Sequence, residues 1–453
     1  MRNRRGLHFF LGAALLGAAT PSTPLAQKLS DEVAALVERN LSGLVSTYKT
    51  LHAAPELSGH EERTSAFVST RLRSYGYEIT ERVGRYENSK LTGYGVVAVM
   101  RNGPGPTVLV RTDLDALPVE EKTGLPYASK VRTKDDAGND VPVMHACGHD
   151  IHITTLLGTA QALAQLKARW HGTLILIGQP AEETIGGAKA MLADGLYERF
   201  PRPEFVLALH DVPYLEAGKV GFAPGYALSS ATSVDITMRG VGGHGASPQS
   251  TKDPIVMAAE LVLILQTIVS RENSPFDPAV VTVGSIHGGT KHNIIPDDVH
   301  LQLTVRAYRE EVRQRILASI ARMAKSISEG GGVPDSLSPI VKVSETEHVP
   351  ATYNDPDLTR RLEGAVGQAL GRANVSEVPP IMASEDFGLL GLGQKIPICM
   401  FMLGAADPAQ LEASRHGGPP MPSLHSSLWA PLPEPSIRTG VRAMCAAVLE
   451  IMK

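Results

Sequence analysis

The stretch Met144-His145-Ala146-Cys147-Gly148-His149-Asp150-Ile151-His152 gathers three imidazoles, a thiol and a carboxylate into one short segment. Imidazole, thiolate and carboxylate are the side chains that bind zinc-like dications, and Gly148 between Cys147 and His149 lets the backbone turn tightly. The segment therefore reads as a metal site. A plainer reading makes Asp150 the N-cap of a helix Ile151–Ala164, with the histidines exposed or satisfied in the core. Ligands from elsewhere in the chain decide between the two.

Around this segment the chain alternates strands and helices. Gly95–Met100 and Thr107–Arg111 are short apolar runs bounded by Gly and Pro, as buried strands are, with the turn signal Asn102-Gly103-Pro104-Gly105-Pro106 between them. The second run ends in Arg111-Thr112-Asp113-Leu114-Asp115-Ala116-Leu117-Pro118, placing carboxylates at the carboxyl end of a strand, where open α/β sheets put function. Turn or cap residues are the competing reading for Asp113 and Asp115. A helix Ile151–Lys167 follows, then a strand Thr173–Gly178 that delivers Gln179-Pro180-Ala181-Glu182-Glu183. Adjacent side chains at a strand end diverge, so one carboxylate can reach a metal while the other faces the attacking water. Two solvated surface acids are the alternative. The apolar run Glu204–Asp211 then ends in His210, a further ligand type at a strand end. Strand, helix and strand in this order predict an α/β fold with a mixed, largely parallel sheet flanked by helices.

The 453 residues are 43% hydrophobic and 20% charged, enough to bury a large core divided among two or three domains at ~150 residues each. A net charge of −4, with 43 basic residues interspersed among 47 acidic ones, gives no footprint for nucleic acid or an anionic membrane. Small polar ligands fit better. At the N-terminus Arg2, Arg4 and Arg5 precede the apolar run Leu7–Ala19, and cleavage is expected after Ala26, with Ala19 the competing site. That run is shorter than the ~20 residues that span a bilayer, so a cleaved export signal at 1–26 is expected, not an anchor, and the mature protein is periplasmic or secreted. Three cysteines are too few for a disulfide framework, and Cys399 and Cys445 lie in apolar surroundings typical of a core.

The ordered series Arg111–Pro118, His145–Asp150, Gln179–Glu183 and Ala208–His210 resembles the M20 metallopeptidases. Within them it looks like the amidohydrolase branch of hippurate hydrolases, N-acyl-amino-acid amidohydrolases and plant auxin-conjugate hydrolases. The match continues through Gly242–Ala246, Asn293–Pro296, Ser384–Phe387 and Leu424–Ser426, nearly the whole mature chain. The resemblance implies a zinc-exopeptidase-like catalytic domain in two parts, 27–229 and 341–453, around an inserted α+β lid or dimerisation domain at 230–340. It implies two divalent metal ions (zinc, manganese, cobalt or nickel) on Cys147, His149, Glu183, His210 and His425, with Asp113 supporting them from behind. Glu182 falls where the family keeps its general base, taking a proton from the metal-activated water and handing it to the leaving amine. His244 is expected at the scissile carbonyl oxygen, reaching across a homodimer, while Asn293 and Arg306 hold the substrate carboxylate. A planar guanidinium matches a carboxylate bidentately.

Many M20 members place an Asp where this chain has Cys147 and a His where it has Arg111. The departure fits the amidohydrolase branch, with His149 replacing the lost ligand, and a thiolate favours softer ions. The implied reaction is hydrolysis of an N-acyl or aroyl amino acid to a carboxylic acid and a free amino acid. A dipeptidase or carboxypeptidase with the same machinery is the runner-up. A non-catalytic binding protein would be expected to have lost Glu182 or a ligand, and none is lost.

Overall fold

The computed structural model describes residues 24–88 and 91–453. The expected export signal lies outside the described residues except for Pro24–Ala26, whose backbone opens the helix Pro24–His52. The main body is a mixed eight-stranded sheet whose centre is parallel. In that centre Gly172–Gln179, Thr107–Asp113, Phe205–Glu216 and Ile398–Ala406 lie side by side in one direction. Gly95–Asn102 runs antiparallel to Gly172–Gln179, so the strand after the helix His149–Gln165 inserts between two strands that are consecutive in sequence.

The apolar runs are continuous because both faces of this sheet are covered. Successive residues alternate between two cores. Ala98, Val108, Val110, Leu174, Leu176, Leu207 and Leu209 pack against the helices Pro24–His52, His149–Gln165 and Pro433–Met452. Val97, Leu109, Ile175, Ile177, Val206 and Ala208 join Met191, Phe387 and Leu390 on the opposite side. Truncating one of the leucines or isoleucines among them, Ile175→Ala for example, removes packing worth about 2–5 kcal/mol. Cys399 and Cys445 are free thiols inside the core.

The middle of the chain forms a separate antiparallel sheet ordered Ala279–Gly288, Asp298–Ala307, Ala231–Arg239, Ile340–Val349. The helices Pro254–Thr267 and Glu310–Gly330 pack on it through Met257, Leu261 and Leu265 and through Val312, Ile316, Ile320 and Met323, residues at helical spacing. One boundary differs from expectation. The insert was expected to end at 340, but Ile340–Val349 pairs with Ala231–Arg239, so the second part of the main body begins after Val349. This edge strand has little buried surface and carries no apolar pattern to announce itself. Gly225–Leu228 and Thr352–Asn354, the two segments that cross between the bodies, pair with each other.

Candidate metal centre

The expected ligands arrive from separate elements at the carboxyl ends of the parallel strands. Cys147 lies in the turn before the helix His149–Gln165, whose N-cap is Gly148 in the left-handed region at φ 76°, not Asp150. A Cβ on Gly148 would collide with the Asp211 carboxylate. Glu182 and Glu183 follow the strand Gly172–Gln179, and His210 belongs to Phe205–Glu216, a strand that continues past its expected end at Asp211. His425 comes from a late loop at φ 67°, fixed by its own N–H donating to the Ala146 carbonyl at 2.8 Å.

Hydrogen bonds settle which ring nitrogens face the centre. His149 Nδ1 donates to the Asp115 carbonyl at 2.9 Å and His210 Nδ1 to the Asp211 carbonyl at 2.7 Å, so both rings present Nε2 as a lone pair. His210 Nε2 is 3.7 Å and His425 Nε2 3.3 Å from Cys147 Sγ. Glu183 carboxylate oxygens lie 3.8 Å from His149 Nε2 and 3.5 Å from His425 Nε2. His149 Nε2 and Glu183 Oε1 are buried without a protein partner among the described residues. Ligand atoms of Cys147, His149 and His210 all fall within 4.8 Å of one another, as do those of Cys147, Glu183 and His425. Cys147 is common to both sets. One set adds two imidazoles to the shared thiol and the other an imidazole and a carboxylate, a donor combination that fits a pair of borderline-soft dications.

The electrostatics agree with that fit. Burial, and then the carboxylates of Glu183 and Glu182, push the Cys147 thiol well up, and burial pushes Glu183 up to about 7. Negative groups crowded in a dry pocket call for a cation. Glu182 is buried with Oε2 3.8 Å from His149 Nε2, and burial followed by Glu385, Glu183 and Asp386 holds its carboxyl well above the usual range.

Behind the centre stands a bracing layer that the sequence only partly announced. Asp113 lies between Arg111 Nη1 at 2.7 Å and His152 Nδ1 at 2.8 Å. Arg111 also grips Glu385 at 2.7 Å and Asp386 at 3.2 Å, tying the motif at 384–387 to the first strand. His152 Nε2 sits 3.0 Å from Asp211 Oδ1. No role was expected for His152, although its place three residues after His149 puts both on one helix face. Asp115 was a turn residue as readily as a functional one. It braces both sides of the cluster, its carbonyl orienting His149 and its Oδ2 accepting from Glu183 N at 3.0 Å and Ser58 Oγ at 2.6 Å.

The three expected substrate contacts are not gathered with these ligands. His244 and Asn293 are exposed neighbours on the insert, where Gly243–His244 pairs with Ile294–Ile295, and no hydrogen bond joins them to the cluster among the described residues. Arg306 is half-buried and donates to Ser384 Oγ at 3.0 Å and the Met382 carbonyl at 3.3 Å, so it faces the loop that carries Glu385. It has no acidic partner among the described residues.

Comparison with known proteins places this geometry. The model of peptidase family M20/M25/M40 matches residues 109–419. The chain is 36% identical over 340 residues to a hippurate hydrolase of Campylobacter jejuni, covering 75% of this chain and 82% of that one. It is 35% identical over 380 residues to an N-acetyldiaminopimelate deacetylase of Leuconostoc citreum, covering 83% and 92%. Among solved structures it resembles a dinuclear metal-binding M20 peptidase of Bacillus subtilis, with a TM-score of 0.71, 26% identity and coverage of 92% and 99%.

Proposed function

This chain belongs to peptidase family M20/M25/M40, and from that premise we propose that it hydrolyses the amide bond of N-acyl or aroyl amino acids, releasing a carboxylic acid and a free amino acid. The observation that carries this reading is the meeting of three imidazole Nε2 atoms, one thiol and one carboxylate beside the buried Glu182. Cys147, His149, Glu183, His210 and His425 would hold two divalent cations, with zinc, manganese, cobalt and nickel as the candidates and the thiolate favouring the softer of them. The chemistry such ions would supply there is acidification of the attacking water and polarisation of the amide carbonyl.

The protein's own groups do the rest. Glu182, buried with Oε2 3.8 Å from His149 Nε2, takes the water proton and delivers it to the departing amine. Arg306, with no acidic partner among the described residues, grips the carboxylate of the amino-acid half, and Asn293, beside His244 on the insert, joins it from a partner copy. His244 is exposed on the insert, a position suited to the carbonyl oxygen in a partner's site.

A homodimer through the insert accounts for an apolar surface there. Ile255, Val256, Leu263 and Ile264 are exposed on the helix Pro254–Thr267, and Ile286 on the neighbouring edge strand. An apolar helix face beside an unpaired edge strand is a surface a second copy would cover. Export is proposed from the N-terminal Arg2, Arg4, Arg5 and Leu7–Ala19 pattern, and cell fractionation tests it. The activity is tested by assaying the metal-loaded protein against N-acyl amino acids and dipeptides. Turnover confined to dipeptides would replace this reading with the peptidase one.

A further inference from the structure

Glu61 is placed where a helix ordinarily caps itself, immediately before Glu62–Ser74, yet its side chain makes no capping bond. Glu56 does that work instead, accepting from Thr64 N at 2.7 Å and Arg63 N at 3.2 Å. Relieved of capping, Glu61 turns inward without exposed surface, and its Oε1 accepts from Gly59 N and from Ala181 N, each at 2.8 Å.

Ala181 immediately precedes Glu182 and has φ 51°, in the left-handed region. A residue with a Cβ stays there only where surrounding bonds over-determine its backbone. The bonds are present on both sides of the peptide. The Ala181 carbonyl accepts from Gly186 N at 3.1 Å and Gly187 N at 3.0 Å, closing the turn that contains Glu182 and Glu183. The Ala181 N–H has Glu61 as its acceptor, brought from a segment far away in sequence. The neighbouring loop reinforces this arrangement, since Ser58 fixes Asp115, which in turn accepts the Glu183 N–H.

We propose that Glu61 is a positioning residue for the reaction: by accepting the Ala181 N–H it holds the turn that aims the Glu182 carboxylate at the reacting centre. The inference rests on Glu182 being the proton carrier. Glu61 itself needs no charge for this task, because an amide oxygen accepts N–H bonds as a carboxylate oxygen does. Its burial, with Asp115 nearby, pushes the carboxyl up to about 8, so Gln resembles the native group in shape and in charge state.

The test compares Glu61→Gln, which keeps the acceptor, with Glu61→Met, which fills the space without one, on the metal-loaded enzyme. Glu61→Met is expected to lower kcat by about 30-fold, equivalent to ~2 kcal/mol, with KM and metal content retained. Glu61→Gln is expected to stay within about threefold of wild type, since it keeps the acceptor. Wild-type kcat in Glu61→Met, loss of metal in step with activity, or a Glu61→Gln as damaged as Glu61→Met would each overturn the proposal. Should Glu61→Met fail to fold, hydrogen exchange in the wild type decides, for a rapidly exchanging Ala181 amide overturns the proposal and a protected one supports it. Glu182→Gln is run alongside. If that variant keeps turnover, the reading of Glu182 falls and this proposal with it. If it is inactive while Glu61→Met is unimpaired, only the role of Glu61 falls.

Discussion

Asp115 meets His149 at one ring nitrogen, Nδ1, which donates to the Asp115 carbonyl at 2.9 Å and lies 3.4 Å from its Oδ1, leaving Nε2 to face a metal. The same residue's carboxylate holds the Glu183 N–H, so one aspartate aligns candidate ligands on two different elements. Asp115→Ala keeps the carbonyl but frees the Glu183 backbone, and partners of this kind are worth about 10–100-fold in metal affinity. Competition with a fluorescent chelator should show a loss in that range, with activity largely restored by excess metal. An unchanged affinity would mean that the Asp115 side chain is incidental.

Glu182→Gln preserves shape but cannot carry the proton. Turnover should fall by at least ~100-fold while metal content, measured by plasma emission, stays at the wild-type level. A variant near wild-type activity would remove Glu182 from the role of base.

Arg306 offers a guanidinium with no acidic partner among the described residues, and its burial lowers its pKa. Arg306→Ala should reduce kcat/KM on a free N-acyl amino acid by ~30-fold or more, because a charged hydrogen bond in a closed site is worth about 2–5 kcal/mol. On the corresponding ester or amide the loss should be much smaller. Equal losses on both would assign Arg306 to holding the Ser384 loop alone.

His52, with no exposed side-chain surface, lies between Asp150 at 2.7 Å and Glu121 at 3.0 Å, which requires both ring nitrogens to donate. Burial by itself would lower its pKa, but the hydrogen bonds to Asp150 and Glu121 outweigh this and raise it to about 10. A raised folded-state pKa means that the clamp's contribution is full below about pH 6.5, the unfolded value, and is lost as pH rises toward 10. Urea midpoints should therefore fall between pH 6 and 9.5 more steeply for wild type than for His52→Ala, which should also cost about 3–5 kcal/mol at pH 6 by stranding two buried carboxylates. Parallel pH profiles for the two proteins would show that the ring is neutral.

Leu263, 72% exposed on the apolar helix, tests the dimer. Leu263→Asp should shift the mass by light scattering from dimer to monomer with little change in Tm, and activity should drop if His244 serves a neighbouring site. A wild-type protein that is already monomeric would dismiss both ideas.

The main sheet was legible because strands buried on two faces leave unbroken apolar runs, as Thr107–Asp113 and Gly172–Gln179 do. The edge strand Ile340–Val349 was not, because an open face imposes no alternation on Lys342, Ser344, Glu345 and Glu347. In the site, ligand types at strand ends stood out, and the resemblance grouped them. Supporting residues were harder to see, since Arg111 meets Glu385 and His52 meets Glu121 only after distant segments fold together. His244 and Asn293 were assigned from motifs, and in a single copy no hydrogen bond joins them to the cluster among the described residues.

Gly148 sets which parts of this centre can drift over evolutionary time. Its neighbours on either side are the proposed donors, whose exchange would retune the preferred ion, as a carboxylate in place of Cys147 would favour harder metals. Position 148 itself has no such latitude, because a side chain there would displace Asp211, and with it the partner of His152. A lineage could change its metal by one substitution on either flank while the pivot between them stayed fixed.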